Sequence, residues 1–280
     1  MEIYYCAYMD VLGYKALVED KLLSPEKRLS LLKSIYENLA TQFMIVVPYV
    51  NDSVEAKVDL RSFSDCFFLY CERPEPLLVA IAQIYQNVFG FFRNFSETEQ
   101  RTPLIRCGVV RDWMAKFYDI GSMQNSTKQI NPVGLSVTRA YLIGEESKLS
   151  GMRIIVSPEV IEDIQTVEVA HPMYKCKYAE LKTYKHKLPY YFRHIEQNED
   201  GKTANLYELL WPFDLIKDNP SDALITLRKL RPGFIPEKIT RHFNQTIGAF
   251  IASHTLLKSK QLQYPDKYEK DHADLINLYI

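Results

Sequence analysis

The 280-residue chain has almost no excess charge of either sign: 34 Lys and Arg stand against 35 Asp and Glu, a formal net charge of -1. A global basic field that wraps duplex nucleic acid is excluded, and any polyanionic ligand must be met by a local patch. No apolar run is long enough to span a bilayer, and the opening MEIYYCAYMD lacks the basic region and small-residue cleavage site of a secretory signal. The expected location is the cytoplasm, with neither DNA nor membrane as partner. The five cysteines (Cys6, Cys66, Cys71, Cys107, Cys176) are odd in number and without CxxC spacing, and read as reduced and mostly buried. The histidines at 171, 186, 194, 242, 254 and 272 lack paired metal-ligand spacing, and no G-x-S-x-G turn occurs. Zinc and serine hydrolases of those patterns are thereby excluded. There is no internal repeat and no low-complexity segment.

What is present is an ordinary globular composition, 47% hydrophobic and 25% charged. An apolar, β-prone run over 3–9 predicts a first strand, followed by a short helix over 14–20. Ser24-Pro25-Glu26 marks a helix start, and the spacing of Leu29, Leu32, Ile35, Tyr36 and Leu39 carries that helix into the forties. Strands over 54–63 and 66–71 form a hairpin around Ser64-Asp65, and Pro74 and Pro76 open an amphipathic helix ending near 95. A strand over 104–110, a loop over 112–132, a helix over 134–146 and a strand over 152–157 follow. Beyond them lie a short helix over 159–164, weaker strands near 174–181, 190–194 and 204–210, and helices to the end. The pattern is α/β, an α+β sandwich with one helical layer on a mixed sheet. We divide it at Pro212 into a domain over 1–212 and a helical extension over 213–280, packed on that domain or on a dimer interface.

Asp10 ends the first strand and Asp65 sits in a strand-to-strand turn. If the strands are neighbours, both carboxylates converge at one sheet edge, an arrangement that is costly alone and favourable around Mg²⁺ or Mn²⁺. Read singly, Asp10 could as well cap the turn after it, and Asp65 could be an ordinary turn residue.

Five stretches in order, YMDVLGYKAL, FSDCFFLY, LIRCGVV, VGLSVTRAYLIGEES and MRIIVS, resemble the motifs of class III nucleotidyl cyclases. The variant they most resemble is the bacterial pyrimidine cyclase of Pycsar antiphage systems, over roughly residues 3 to 157. The resemblance implies a ferredoxin-like βααββαβ core and a homodimer with head-to-tail composite sites. It also implies conversion of a nucleoside triphosphate to its 3',5'-cyclic monophosphate and diphosphate, with uridylate favoured over cytidylate, and a separate cyclic-nucleotide-activated effector. Residue by residue, it places two Mn²⁺ or Mg²⁺ ions on Asp10, Asp65 and the Val11 carbonyl. The main chain of Leu12, Gly13 and Tyr14 then meets the triphosphate, while Arg61 and Asn131 stand at the base-reading positions.

The chain departs from the family where Thr138 replaces the ribose-orienting asparagine, Leu142 replaces an arginine on the transition state, and Asp112 replaces a glycine. Arg106, Arg139 and Arg111 are the candidate cations for the reacting phosphate, with Arg111 and Asp112 open to pairing with each other. A cyclase-like protein that binds nucleotide without turning it over, and a purely structural protein on the same scaffold, are the alternatives.

Overall fold

The first strand, β1 (Glu2–Leu12), is buried without alternation from Tyr4 to Leu12, because both of its faces are covered. The structure, a computed structural model, describes residues 2–12, 14–19, 21, 23–53, 57–63, 66–92, 104–118, 130–145, 151–164, 167–171, 174–179, 188–199, 202–218, 220–230, 237–259 and 266–278. After β1 come α1 (Tyr14–Val18), α2 (Pro25–Ser53), β2 (Asp59–Phe63), β3 (Cys66–Cys71), α3 (Pro74–Phe92), β4 (Leu104–Tyr118), β5 (Ile130–Val133), α4 (Leu135–Glu145), β6 (Ile154–Val156) and α5 (Pro158–Asp163). The rest is β7 (Val167–His171), β8 (Tyr174–Ala179), β9 (Leu188–Glu199), β10 (Lys202–Leu209), α6 (Pro212–Asp218), α7 (Pro220–Leu230), α8 (Glu237–Ser259) and α9 (Asp266–Asn277).

Tyr5, Ala7, Met9 and Val11 of β1 pack into the core under α2 and α3. The alternate residues Tyr4, Cys6 and Tyr8 pack on the other side with Phe68, Tyr70, Val110, Met114 and Ala140 of α4. The single helical layer expected from the sequence is therefore corrected: a strand apolar on both sides needs cover on both, and α4 supplies the second.

Ser24 caps α2 by accepting the Lys27 amide at 3.3 Å. The helix passes through Pro48 to Ser53, so β2 starts later than the 54 expected. The Asn51 side chain trades two hydrogen bonds with the Val58 main chain, at 3.0 and 2.7 Å, and steers the chain into β2.

The sheet order is β2-β3-β1-β4-β6-β10-β9-β8-β7, and β5 pairs the outer end of β4. The first four strands run antiparallel to their neighbours in the βααββαβ order, and β4 pairs β6 in parallel. The expected loop over 112–132 is corrected at both ends. Met114 faces Glu2, where β1 begins, and from Ala115 onward β4 pairs with β5 alone among the described residues. A two-stranded ribbon half-exposed on both sides carries no clean hydrophobic period, which is why it read as a loop.

The C-terminal helices share the main core: Phe213, Ile216, Leu227, Phe243, Ile247 and Phe250 are buried in one cluster with α3 and the sheet. Trp211 donates its indole N–H to the Met152 carbonyl at 2.8 Å and meets Tyr85, Phe89 and Phe250 edge to face. Thr246 of α8 accepts the Met152 amide at 2.8 Å. Beside it, Arg153 makes a bidentate pair with Glu208 at 2.7 Å on both oxygens, and Arg193 closes on the same carboxylate. Among the described residues no helix is long and apolar enough to cross a membrane.

Candidate active site

Asp10 stands where three strands meet: its register partners are Cys66 on β3 and Arg106 on β4. Its residue is 8% exposed, so its charge must be compensated. Arg106 does so, with Nη2 2.9 Å and Nε 3.1 Å from Asp10 Oδ2. Of the other predicted metal ligands, Asp65 lies outside the described residues, but its chain neighbour Cys66 is the cross-strand partner of Asp10. The β2–β3 pairing closes on Phe63 and Cys66.

β3 stops pairing at Asp10, and Val11 and Leu12 continue against Ile105 and Leu104 of β4. Both side chains are buried, so only their main chain is available to a ligand. Gly13 lies outside the described residues. Tyr14 opens α1 with its ring against Tyr36, 6.2 Å between centroids. Arg61 is half-buried on β2 opposite Phe68, which itself lies opposite Tyr8 with rings 5.2 Å apart. Alternation along the strands puts Arg61, Phe68, Tyr8 and Asp10 on one side of the sheet. Asn131, half-buried, pairs with Phe117 in the β4–β5 ribbon.

α4 crosses this side at very close range. A Cβ on Gly108 would lie 2.4 Å from the Ala140 carbonyl oxygen, and one on Gly144 would lie 2.8 Å from Tyr8 Cδ1. The two glycines let helix backbone sit on strand backbone. The helix holds Thr138 exposed, its hydroxyl donating to the Gly134 carbonyl at 3.4 Å. Arg139 is bound to Asp112 at 2.7 Å and Glu159 at 2.8 Å. Burial opposes its charge, but these two carboxylates outweigh it and hold its pKa above the ordinary value.

One expectation is thus corrected. Arg111 and Asp112 do not pair, because adjacent strand residues point to opposite faces; Arg111 instead meets Asp163 at 2.9 Å, where the Tyr5 hydroxyl also donates at 2.8 Å. Arg139 pairs with Asp112, which lies opposite Tyr4, six residues before Asp10 on β1, roughly 20 Å along the strand. Of the three candidate cations, Arg106 alone contacts Asp10 among the described residues.

Asp10 and the Val11 carbonyl are hard oxygen donors of the kind that suits Mg²⁺ or Mn²⁺. They fit in kind; among the described residues no group of three or more His, Cys, Asp and Glu side chains could hold a metal. Burial pushes the Cys6 thiol up to about 12 and the Cys71 thiol to about 11, so neither of these two is a competing nucleophile at neutral pH.

The sequence reading missed Glu208, Arg153 and Arg193, whose partners are remote in the chain, and Lys116, which fell in the supposed loop. The β-prone Trp113, Phe117 and Tyr118 were the available signal there.

No family model matches the chain, and no curated protein matches it. Among solved structures it is similar to the adenylyl cyclase CyaB from P. aeruginosa, with a TM-score of 0.46 and 12% identity, covering 74% of this chain and 93% of that one. It is also similar to a bacterial light-regulated adenylyl cyclase, with a TM-score of 0.49 and 11% identity over 74% of this chain and 52% of that one. A third is the dimeric guanylyl cyclase domain of the RhoGC fusion protein from the aquatic fungus Blastocladiella emersonii, with a TM-score of 0.48 and 10% identity over 75% of this chain and 97% of that one.

Proposed function

We propose that the chain is a metal-dependent nucleotidyl cyclase that converts UTP, or CTP, to the 3',5'-cyclic monophosphate and diphosphate. In the reaction the ribose 3'-oxygen loses its proton and bonds to the α-phosphorus, while the bond to the departing diphosphate breaks. The observation that carries the reading is Asp10, a carboxylate buried at the end of a strand with the residue after Asp65 directly across from it. A divalent cation held by Asp10, Asp65 and the Val11 carbonyl supplies Lewis-acid stabilisation of the phosphate oxygens when bound. Arg106 is the guanidinium in place to take up phosphate charge beside it. Arg61 and Asn131 supply donors, and Asn131 an acceptor as well, for a pyrimidine edge.

We also assign the homodimer to this reading. Trp113 and Phe117 on β4, Val133 on β5, and Leu135, Tyr141 and Leu142 on α4 are all exposed. Such a patch on adjoining elements calls for a partner surface, and a second copy would bring Thr138 toward the site of the first. The cyclic product would act on a separate effector as the signal of a bacterial antiphage system.

The commitment of Arg139 to Asp112 and Glu159 favours a second reading, a protein that binds nucleotide and turns it over slowly or not at all. One experiment separates them: incubate the purified chain with each of four labelled nucleoside triphosphates and Mn²⁺, and resolve the products by chromatography. A cyclic pyrimidine nucleotide supports the first reading. Calorimetric binding without pyrophosphate release replaces it with the second.

A further inference from the structure

Lys116 reaches back from the β4–β5 ribbon to the sheet it has left. Its Nζ lies 3.2 Å from Asp59 Oδ2 on β2, 4.6 Å from the centroid of the Tyr4 ring and 5.2 Å from that of Tyr70. The two rings meet at 81°, forming a corner in which the ammonium sits against both π systems. The Tyr4 hydroxyl, 3.0 Å from Glu2 Oε2 and 3.2 Å from Glu72 Oε1, fixes the tilt of its ring.

This contact joins two strands that the proposed base recognition needs in register. On the ribbon, Lys116 pairs with Pro132, and the next pair is Phe117 with Asn131. On the sheet, Asp59 is two residues before Arg61 on the same side of β2. A two-stranded ribbon is marginal alone, so the angle at which Asn131 is presented depends on what the ribbon leans against. An exposed ion pair adds little to global stability; its effect here is directional.

We propose that Lys116 is a specificity-determining positioning residue, whose contacts with Asp59, Tyr4 and Tyr70 clamp the β4–β5 ribbon and set the distance between Arg61 and Asn131. The inference rests on the assignment of those two residues to the nucleobase. Lys116→Met keeps the stem and removes the charge; Lys116→Arg keeps cation and ring contact.

The test compares these variants and Asp59→Asn with the parent protein, in steady-state kinetics on UTP, CTP, ATP and GTP with Mn²⁺ and in hydrogen exchange of residues 130–133. In Lys116→Met and Asp59→Asn, exchange quickens and KM for the preferred nucleotide rises about five- to tenfold. Discrimination among bases narrows while kcat stays within about twofold. Lys116→Arg restores the parent values, and the double variant is no worse than either single one. Unchanged exchange, or faster exchange with discrimination intact, overturns the proposal. Arg61→Ala is the separate control: if it leaves base preference unmoved, the base assignment itself fails; if it shifts preference and Lys116→Met does not, the clamp alone fails.

Discussion

Arg106 and Asp10 face each other across neighbouring strands with Nη2 2.9 Å from Oδ2, so the carboxylate proposed to hold a metal already carries a cation. A divalent ion arriving there must share or displace the guanidinium. Arg106→Met leaves Asp10 buried without that partner, which costs about 3–5 kcal/mol of stability. Added Mn²⁺ recovers part of the loss by linkage, and Mn²⁺ binding measured by electron paramagnetic resonance without nucleotide tightens relative to the parent. Asp10→Asn abolishes both the binding and the cyclase activity.

Gly108 lies under the Ala140 carbonyl with no room for a methyl group. Gly108→Ala lifts α4 and costs about 1–3 kcal/mol in urea unfolding, the range for overpacking. Because α4 carries Thr138, turnover falls further than stability alone explains.

Glu208, 0% exposed, yields a pH prediction. Burial opposes its ionisation, but the Arg153 and Arg193 guanidiniums outweigh burial and hold the carboxyl below its ordinary 4.5. A group depressed on folding contributes stability that is complete above its unfolded value and drains as pH falls through the lower folded one. Melting temperature therefore drops below about pH 4.5 in the parent. In Glu208→Gln it is lower throughout, and the part of that acid slope due to this group is absent.

Leu142 belongs to the exposed patch assigned to the second copy. Leu142→Glu leaves the monomer's melting temperature within about 0.5 kcal/mol of the parent in free-energy terms. It shifts sedimentation velocity from dimer to monomer and removes turnover, while Mn²⁺ binding persists.

Much of this was legible in the sequence for physical reasons that can be named. The capped start of α2, the β2–β3 hairpin and the βααββαβ order follow from local signals of Ser24-Pro25 and of apolar period. The unalternated apolar run of β1 held the signal of its double burial, which the single-layer reading did not use. Three things were not legible. Lys116 and the ribbon were lost because a partly exposed ribbon has no clean period. The pairing of Arg139 with Asp112 and Glu159 depends on how α4 crosses β4, which two glycines decide by close approach. The Arg153–Glu208 pair joins residues 55 apart in sequence, and no local rule reaches that far.

The chain's two tryptophans divide between the places that matter most. Trp113, 37% exposed, stands on the patch assigned to the second copy, and Trp211, 2% exposed, is locked among Tyr85, Phe89 and Phe250 under the C-terminal helices. The protein therefore carries a two-colour optical gauge. Red-shifted, acrylamide-quenchable emission from Trp113 follows assembly on dilution, while blue-shifted, shielded emission from Trp211 follows the core during denaturation.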